Sequence, residues 1–166
     1  MIVAAFAGTG KSTLASKYPD KIVDFVCMPY KYYLDHDDDA GEAGKASLDN
    51  VMREDWPWNY IEAIKSALIE RKILLIPSDY HVLSLLCLEE MPYTLCYPQR
   101  DAKEVYRKRF IDRGNTETFL SVFIDGWDGF EDTLEQDSYG RHIVMKPHQF
   151  LSGVIDLIFS QNLNYS

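Results

Sequence analysis

The chain has 166 residues, 46% of them apolar, with a formal charge of −9 and a pI near 4.8. This length supports one well-buried core and excludes two full-sized domains. The acidic balance excludes a broad nucleic-acid-binding surface, which rests on clustered Lys and Arg.

A strand beginning at Ile2 leaves no room for a signal peptide, and no apolar run reaches the length needed to span a bilayer. The expectation is a soluble, cytoplasmic protein with no membrane partner. Cys27, Cys87 and Cys96 are odd in number and lie in or beside apolar runs, which predicts buried reduced thiols rather than disulfides or a metal site.

The first strand is the apolar run Ile2-Val3-Ala4-Ala5-Phe6. It leads through Ala7-Gly8-Thr9-Gly10-Lys11-Ser12-Thr13 into Leu14-Ala15-Ser16-Lys17, which opens a helix. A strand, a glycine-bearing loop ending in Lys-Ser, and a helix form the context of a phosphate loop, with Ala5 where the usual pattern has glycine. Small residues let the backbone curl so that its amides point inward, and the helix adds its positive end. Gly8, Thr9, Gly10, Lys11, Ser12 and Thr13 are therefore candidate ligands of a nucleoside triphosphate. Lys11 would reach the outer phosphates and the Ser12 hydroxyl would ligate Mg²⁺. The rival is a turn of small residues that holds no ligand.

Pro19 ends the helix near Tyr18. Lys21-Ile22-Val23-Asp24-Phe25-Val26-Cys27 is a second strand with a carboxylate in its middle. Burying Asp24 bare is costly, so it is either aimed into a cleft or exposed at an edge. From Met28 to Trp58 the pattern dissolves, and a long connection inside a compact domain is usually functional or disordered. Tyr30, Tyr32 and Tyr33 would line a substrate pocket or pack beneath this connection. Its acidic run Asp35-His36-Asp37-Asp38-Asp39 fails as a calcium loop, because Ala40 and Ala46 stand where glycine and glutamate are required. It reads as a solvated acidic loop.

Asp55-Trp56-Pro57 predicts a helix start, with Pro57 in the first turn. Ile61, Ile64 and Leu68 form its apolar face, backed by Ala63 and Ala67, and the helix ends near Arg71. The run Lys72-Ile73-Leu74-Leu75-Ile76-Pro77-Ser78-Asp79 has the unbroken apolarity of a central parallel strand. Asp79 falls at its carboxyl end, where open α/β sheets bind ligands. It is a candidate to orient magnesium-bound water, or else the N-cap of the helix that follows from Tyr80. His81 in that helix reads as a surface or capping residue, and Met91-Pro92 ends it.

Tyr93-Thr94-Leu95-Cys96-Tyr97-Pro98 is the fourth strand, and Asp101 with Glu104 predicts a capping box for the next helix. That helix holds the dense basic cluster of an acidic chain. Ala102, Tyr106, Arg109, Phe110 and Arg113 share one face, while Arg100, Lys103 and Arg107 lie nearly opposite. Arg109 and Arg113 are expected to clamp phosphates through bidentate bonds. The other three are expected to make weak surface ion pairs. After Gly114-Asn115, a further helix carries Phe119, Leu120, Phe123, Ile124, Trp127 and Phe130 as a core stripe, interrupted at Gly126 and Gly129. Arg141 to Met145 forms the fifth strand, in which His142 is a structural residue, and Phe150 to Phe159 forms the last helix. Five strands alternating with helices predict parallel crossovers and a layered α/β sheet.

In its order of elements nearly the whole chain resembles the P-loop kinases of the nucleoside and nucleotide kinase superfamily. The residues that carry the resemblance are Ala5 to Thr13, and more loosely Asp24, Asp79 and the arginines. It implies a three-layer P-loop NTPase fold, with five parallel strands in the order 2-3-1-4-5 and helices on both faces. It further implies an acceptor-side insertion at about residues 28–58 and a lid-like helical region at about 99–116. Arg109 and Arg113 look like the lid arginines of that family, Asp24 matches its general base, and Lys146-Pro147 looks like the loop that borders the adenine ring. Ile76-Pro77-Ser78-Asp79 stands where adenylate kinases carry Asp-Gly-Phe-Pro-Arg, which sets the chain apart from adenylate kinase proper. The resemblance implies transfer of phosphate from ATP with Mg²⁺ to a small-molecule acceptor, a nucleoside or nucleoside monophosphate. A nucleotide-binding regulatory protein or weak ATPase is the alternative, and a polynucleotide 5′-end kinase a further one.

Overall fold

The computed structural model describes residues 1–33 and 51–160. The acidic run from Asp35 to Asp39, together with Ala40 and Ala46, lies outside the described residues. Five strands, β1 (Ile2–Ala5), β2 (Ile22–Asp24), β3 (Ile73–Pro77), β4 (Tyr93–Pro98) and β5 (Arg141–Met145), form one parallel sheet in the order β2-β3-β1-β4-β5. Every residue of β1 and β4 is buried, as expected of inner strands covered on both faces.

Because side chains alternate along a strand, the sheet separates two apolar layers. Ala4, Phe6, Leu74, Ile76, Leu95 and Tyr97 pack against α3 (Trp58–Leu68), α4 (Tyr80–Leu88), α5 (Lys103–Asp112) and α7 (Trp127–Glu135). Val3, Ala5, Leu75, Cys96, Ile143 and Met145 pack on the opposite face against Leu14 of α1 (Lys11–Lys17) and Ile158 of α8 (Ile155–Ser160). The result is a three-layer α/β fold. The carboxyl ends of β1, β2 and β3 meet at one edge of the molecule, since Ala5 pairs with Pro77 and Asp24 with Leu75.

Several local expectations are corrected. Strand β2 stops at Asp24, so this carboxylate ends the strand and does not sit in its middle; Phe25 adds one more bond to Leu75, and the chain then turns into the short helix α2 (Met28–Lys31). Pro29 sits in the first turn of α2, where its missing N–H is harmless. Residues 31–33 pair back onto residues 51–53, which closes the ends of the long connection. Asp101 does not cap α5: it lies in a 3-10 turn over Arg100–Ala102, and Ala102 precedes the helix without a side-chain cap. The aromatic stripe is broken into α6 (Glu117–Leu120), a π-helical segment over Ser121–Asp125, and α7, with Gly126 at the junction. A Cβ at Gly126 would lie 2.5 Å from the Val122 carbonyl, so the junction is closed to larger residues. The last predicted helix is a 3-10 turn over Leu151–Gly153 followed by α8. Cys96 is buried and Cys27 half-buried, but Cys87 is exposed; all three are free. Among the described residues no helix is long and apolar enough to cross a membrane.

Candidate functional site

The loop between β1 and α1 curls at two glycines in the left-handed region, Gly8 at φ 75° and Gly10 at φ 92°. A side chain at either would also meet an aromatic ring, that of Phe110 at 2.7 Å from a Gly8 Cβ and that of Phe150 at 3.2 Å from a Gly10 Cβ. Thr9 is buried and its hydroxyl donates to the Phe6 carbonyl at 2.8 Å. Lys11 folds back into the loop, its Nζ donating to the carbonyls of Ala5 at 2.9 Å and Phe6 at 3.1 Å. Burial pushes this ammonium down to about 8; the nearby Asp24 opposes the shift and the positive charge of Arg113 adds to it. An ammonium held on neutral carbonyls in a partly dry loop has no strong anionic partner of its own.

Ser12, in the first turn of α1, donates its hydroxyl to Asp24 Oδ2 at 2.5 Å. The other oxygen of Asp24 is buried with no hydrogen-bond partner among the described residues. With its proton directed at Asp24, the Ser12 oxygen keeps its lone pairs for a cation. Mg²⁺ takes hard oxygen donors and is usually held by one or two protein groups plus water and phosphate. Ser12 beside a carboxylate with an orphaned oxygen fits that demand, although among the described residues there is no group of three or more acidic, His or Cys side chains that could hold a metal alone. Thr13 is exposed on the same turn.

Asp79 follows β3 on the neighbouring strand end. Its Oδ1 caps α4 by accepting from the backbone N–H of His81 at 2.9 Å and of Val82 at 3.4 Å. Its Oδ2 accepts from Lys31 Nζ at 2.9 Å. It therefore acts as the N-cap in this conformation and makes no hydrogen bond to Ser12. Burial disfavours the Lys31 ammonium, but the Asp79 bond outweighs it and the pKa is raised. Lys31 also lies 5.2 Å from the centre of the Trp56 ring. Trp56, Tyr60, Tyr30 and Phe25 form a contiguous aromatic wall, fixed where the Tyr60 hydroxyl donates to the Phe25 carbonyl. This wall joins Asp79 to the end of β2 and so to Asp24. Tyr30 belongs to it through its contacts with Phe25 and Tyr60.

Arg109 projects from α5 toward the loop, yet its guanidinium is engaged with backbone. It donates to the carbonyls of Gly8 at 3.3 Å, Pro147 at 2.8 Å and Gln149 at 3.2 Å. It lies over the Tyr106 ring, 4.4 Å from its centre, and over the Phe150 ring, at 4.0 Å. Arg109 thus pins the turn after β5 to the loop between β1 and α1, while Lys146 closes that turn through Gln149. Arg113 is exposed at the end of α5 and makes no ion pair among the described residues. On the opposite face the surface pairing holds: Arg100 binds Asp132 at 2.7 Å and Glu135 at 2.8 Å, Arg107 meets Glu104 at 3.4 Å, and Lys103 meets Asp128 at 3.7 Å.

Of the residues singled out in the sequence, Gly8, Gly10, Lys11, Ser12 and Asp24 converge in one place, with Arg113 close enough to act on Lys11 electrostatically. Lys146 and Pro147 flank the loop through Arg109, whereas Asp79 is diverted to Lys31. Sequence reasoning missed Lys31, Trp56 and Phe150; the one signal for Phe150 was an aromatic residue shortly after the Lys-Pro turn. A separate open cleft of about 230 Å³, lined by Ser78, Tyr80, Phe130, Thr133 and Leu134, adjoins the loop that carries Asp79. No protein-family model matches the chain, and comparison with curated proteins found no match.

Proposed function

We propose that the protein is an ATP- and Mg²⁺-dependent phosphotransferase whose acceptor is a nucleoside or nucleoside monophosphate. The observation that carries this reading is the convergence of Lys11 and the Ser12–Asp24 pair on a loop bent at Gly8 and Gly10, at the carboxyl end of the central strand β1. Lys11 and the loop amides hold the outer phosphates, and Arg113 offers a charge to the transferred group. Ser12 would hold the metal with Asp24 beside it; when bound, Mg²⁺ neutralises charge on the phosphates. Where the acceptor is a hydroxyl, Asp24 takes its proton; where it is a phosphate, Asp24 only positions it. The half-buried rings of Phe25, Tyr30 and Trp56, packed on the buried Tyr60, are suited to meeting an acceptor base. Free thiols at Cys27, Cys87 and Cys96 suit the reducing cytoplasm.

The deciding experiment is phosphate transfer from labelled ATP to a panel of nucleosides, nucleoside monophosphates and oligonucleotides. Transfer is expected to one of the first two classes and to fall by at least ~100-fold in Lys11→Ala. A variant that transfers at the wild-type rate overturns the reading.

A second reading, a nucleotide-binding regulatory protein or weak ATPase, is favoured by the engagement of Arg109 with backbone carbonyls and of Asp79 with Lys31. ATP binding and slow hydrolysis, with no acceptor in the panel labelled, is its signature.

A further inference from the structure

We propose that Lys31 is a latch on the metal side of the site: its ion pair with Asp79 withholds that carboxylate from metal-bound water until Mg²⁺ arrives with the triphosphate and Lys31 lets go. The proposal rests on the Mg²⁺–triphosphate reading of the loop between β1 and α1 and adds the residue that governs entry of the metal.

Placement comes first. Asp79 follows β3, the strand that lies between β1, which runs into the loop, and β2, which ends in Asp24. The half-buried Cys27 is close enough to Lys31, Asp79 and Lys11 for all three to act on its thiol, and Asp24 and Asp79 both act on the Tyr60 hydroxyl. Two ammonium groups and two carboxylates therefore share one end of the sheet.

Asp79 has one oxygen to give. Its Oδ1 is committed to the N–H groups of His81 and Val82 at the start of α4, so Oδ2 is the oxygen that serves another donor. Lys31 holds it at 2.9 Å, with the two side chains only 21% and 18% exposed. A magnesium-bound water, like an ammonium, is a hydrogen-bond donor carried by a cation. Both donors would meet at Oδ2 only with the dication beside the ammonium, and like charges in a partly buried site repel. Each therefore disfavours the other.

Release asks little of the lysine. Its N–H donates to the Cys27 carbonyl and its carbonyl accepts from the Arg53 N–H, both at 2.9 Å, so the backbone stays fixed while the flexible stem moves. The Trp56 and Tyr32 rings, 5.2 Å and 5.9 Å from Nζ, offer the freed ammonium a cation–π contact. Asp79 keeps α4 capped through Oδ1 in either position.

The test uses the full chain and ATP, titrated by calorimetry with Mg²⁺ and again with the metal removed by a chelator, with no acceptor present. The quantity read is the ratio of the two affinities, in which the loss of a positive charge near the phosphates largely cancels. Lys31→Met is expected to raise this ratio roughly 3- to 10-fold, the effect of removing one competing, partly exposed ion pair. Lys31→Arg, which keeps a cation on Asp79, should stay within about twofold of wild type. In an Asp79→Asn background, Lys31→Met should change the ratio by less than about twofold, because the carboxylate it competes for is gone. An unchanged or lowered ratio in Lys31→Met, whether or not its stability in urea falls, overturns the latch while leaving the phosphate site standing, and so does an equal rise in both backgrounds. Failure of the wild type to bind ATP under either condition overturns the phosphate-site reading and the latch with it.

Discussion

Ser12 on α1 and Asp24 at the end of β2 are joined by a 2.5 Å hydrogen bond, which couples the helix after the glycine-bent loop to the neighbouring strand end. The two oxygens of Asp24 have different surroundings, one bound to Ser12 and the other buried and unpaired. An unpaired buried acceptor is costly, and an incoming hydroxyl donor would relieve it. Rotation about the last side-chain torsion exchanges the two oxygens cheaply, so either can meet the acceptor while the other keeps Ser12. Asp24→Asn preserves a hydrogen-bond acceptor for Ser12 but cannot take a proton. Steady-state kinetics with a nucleoside acceptor should show kcat reduced by ~100-fold or more. Unaltered kcat would assign Asp24 to positioning alone.

The strands were legible because inner parallel strands are apolar without interruption, and the runs at Ile2, Ile73 and Tyr93 are of that kind. The glycine-bent loop between β1 and α1 was legible because its residues are contiguous. Arg109 was only half legible. Spacing placed it on the face shared with Tyr106 and Phe110, which is where it lies, but spacing cannot say that three carbonyls from two distant loops wait there. Lys31 failed as a signal for the same reason, since its partner Asp79 is 48 residues away and no local pattern links them. The splitting of the stripe after Thr116 was signalled by Gly126, yet the π-helical segment depends on how Phe123 packs on Phe6 and Phe130.

Asp79 combines two tasks, so its variants should separate them. Asp79→Asn keeps an acceptor for the first turn of α4 and loses the ion pair with Lys31, whereas Asp79→Ala loses both and strands a partly buried ammonium. Loss of an N-cap costs about 1 kcal/mol, and an unpaired, partly buried charge adds to it. Urea denaturation at pH 7 should therefore rank stability as wild type, then Asp79→Asn, then Asp79→Ala, with the last two separated by about 1 kcal/mol or more. Equal losses would show that the cap contributes nothing.

Glu131 on α7 is fully buried, and neither of its oxygens is hydrogen-bonded among the described residues. Burial pushes its carboxyl up to about 7; Glu135, Asp128 and Asp132 reinforce the shift and Arg100 opposes it. The fully buried Tyr106 on α5 lies near enough for the two groups to act on each other electrostatically. A raised folded-state pKa means that the folded chain holds the proton where the unfolded chain has released it. Stability from this group is complete below about 4.5, its ordinary value, and is lost as pH rises through about 7. At about 1.4 kcal/mol per pH unit the full loss is at most about 3.5 kcal/mol. Glu131→Gln removes the titration. Melting curves from pH 4.5 to 8 should show the wild type losing stability relative to this variant as pH rises; parallel curves would mean that the carboxyl ionises freely in the fold.

Gly8 and Gly114 share nearly the same backbone, φ 75° and φ 74°, but not the same surroundings. A Cβ at Gly8 would lie 2.7 Å from the Phe110 ring, whereas one at Gly114 would meet nothing within 4 Å. Alanine at Gly114 thus carries only the left-handed penalty, about 1 kcal/mol. Alanine at Gly8 adds overpacking against a fully buried ring that is itself wedged against Tyr106 and Phe119, typically a further ~1–3 kcal/mol. Because the Gly8 carbonyl also receives Arg109, displacement of the loop would loosen the stack that holds Phe150. Gly8→Ala should therefore be the less stable variant in urea and should bind both ATP and tripolyphosphate weakly, while Gly114→Ala binds both as wild type does. Equal stability of the two would mean that Phe110 gives way without cost, and that the loop is not fixed by the ring beneath it.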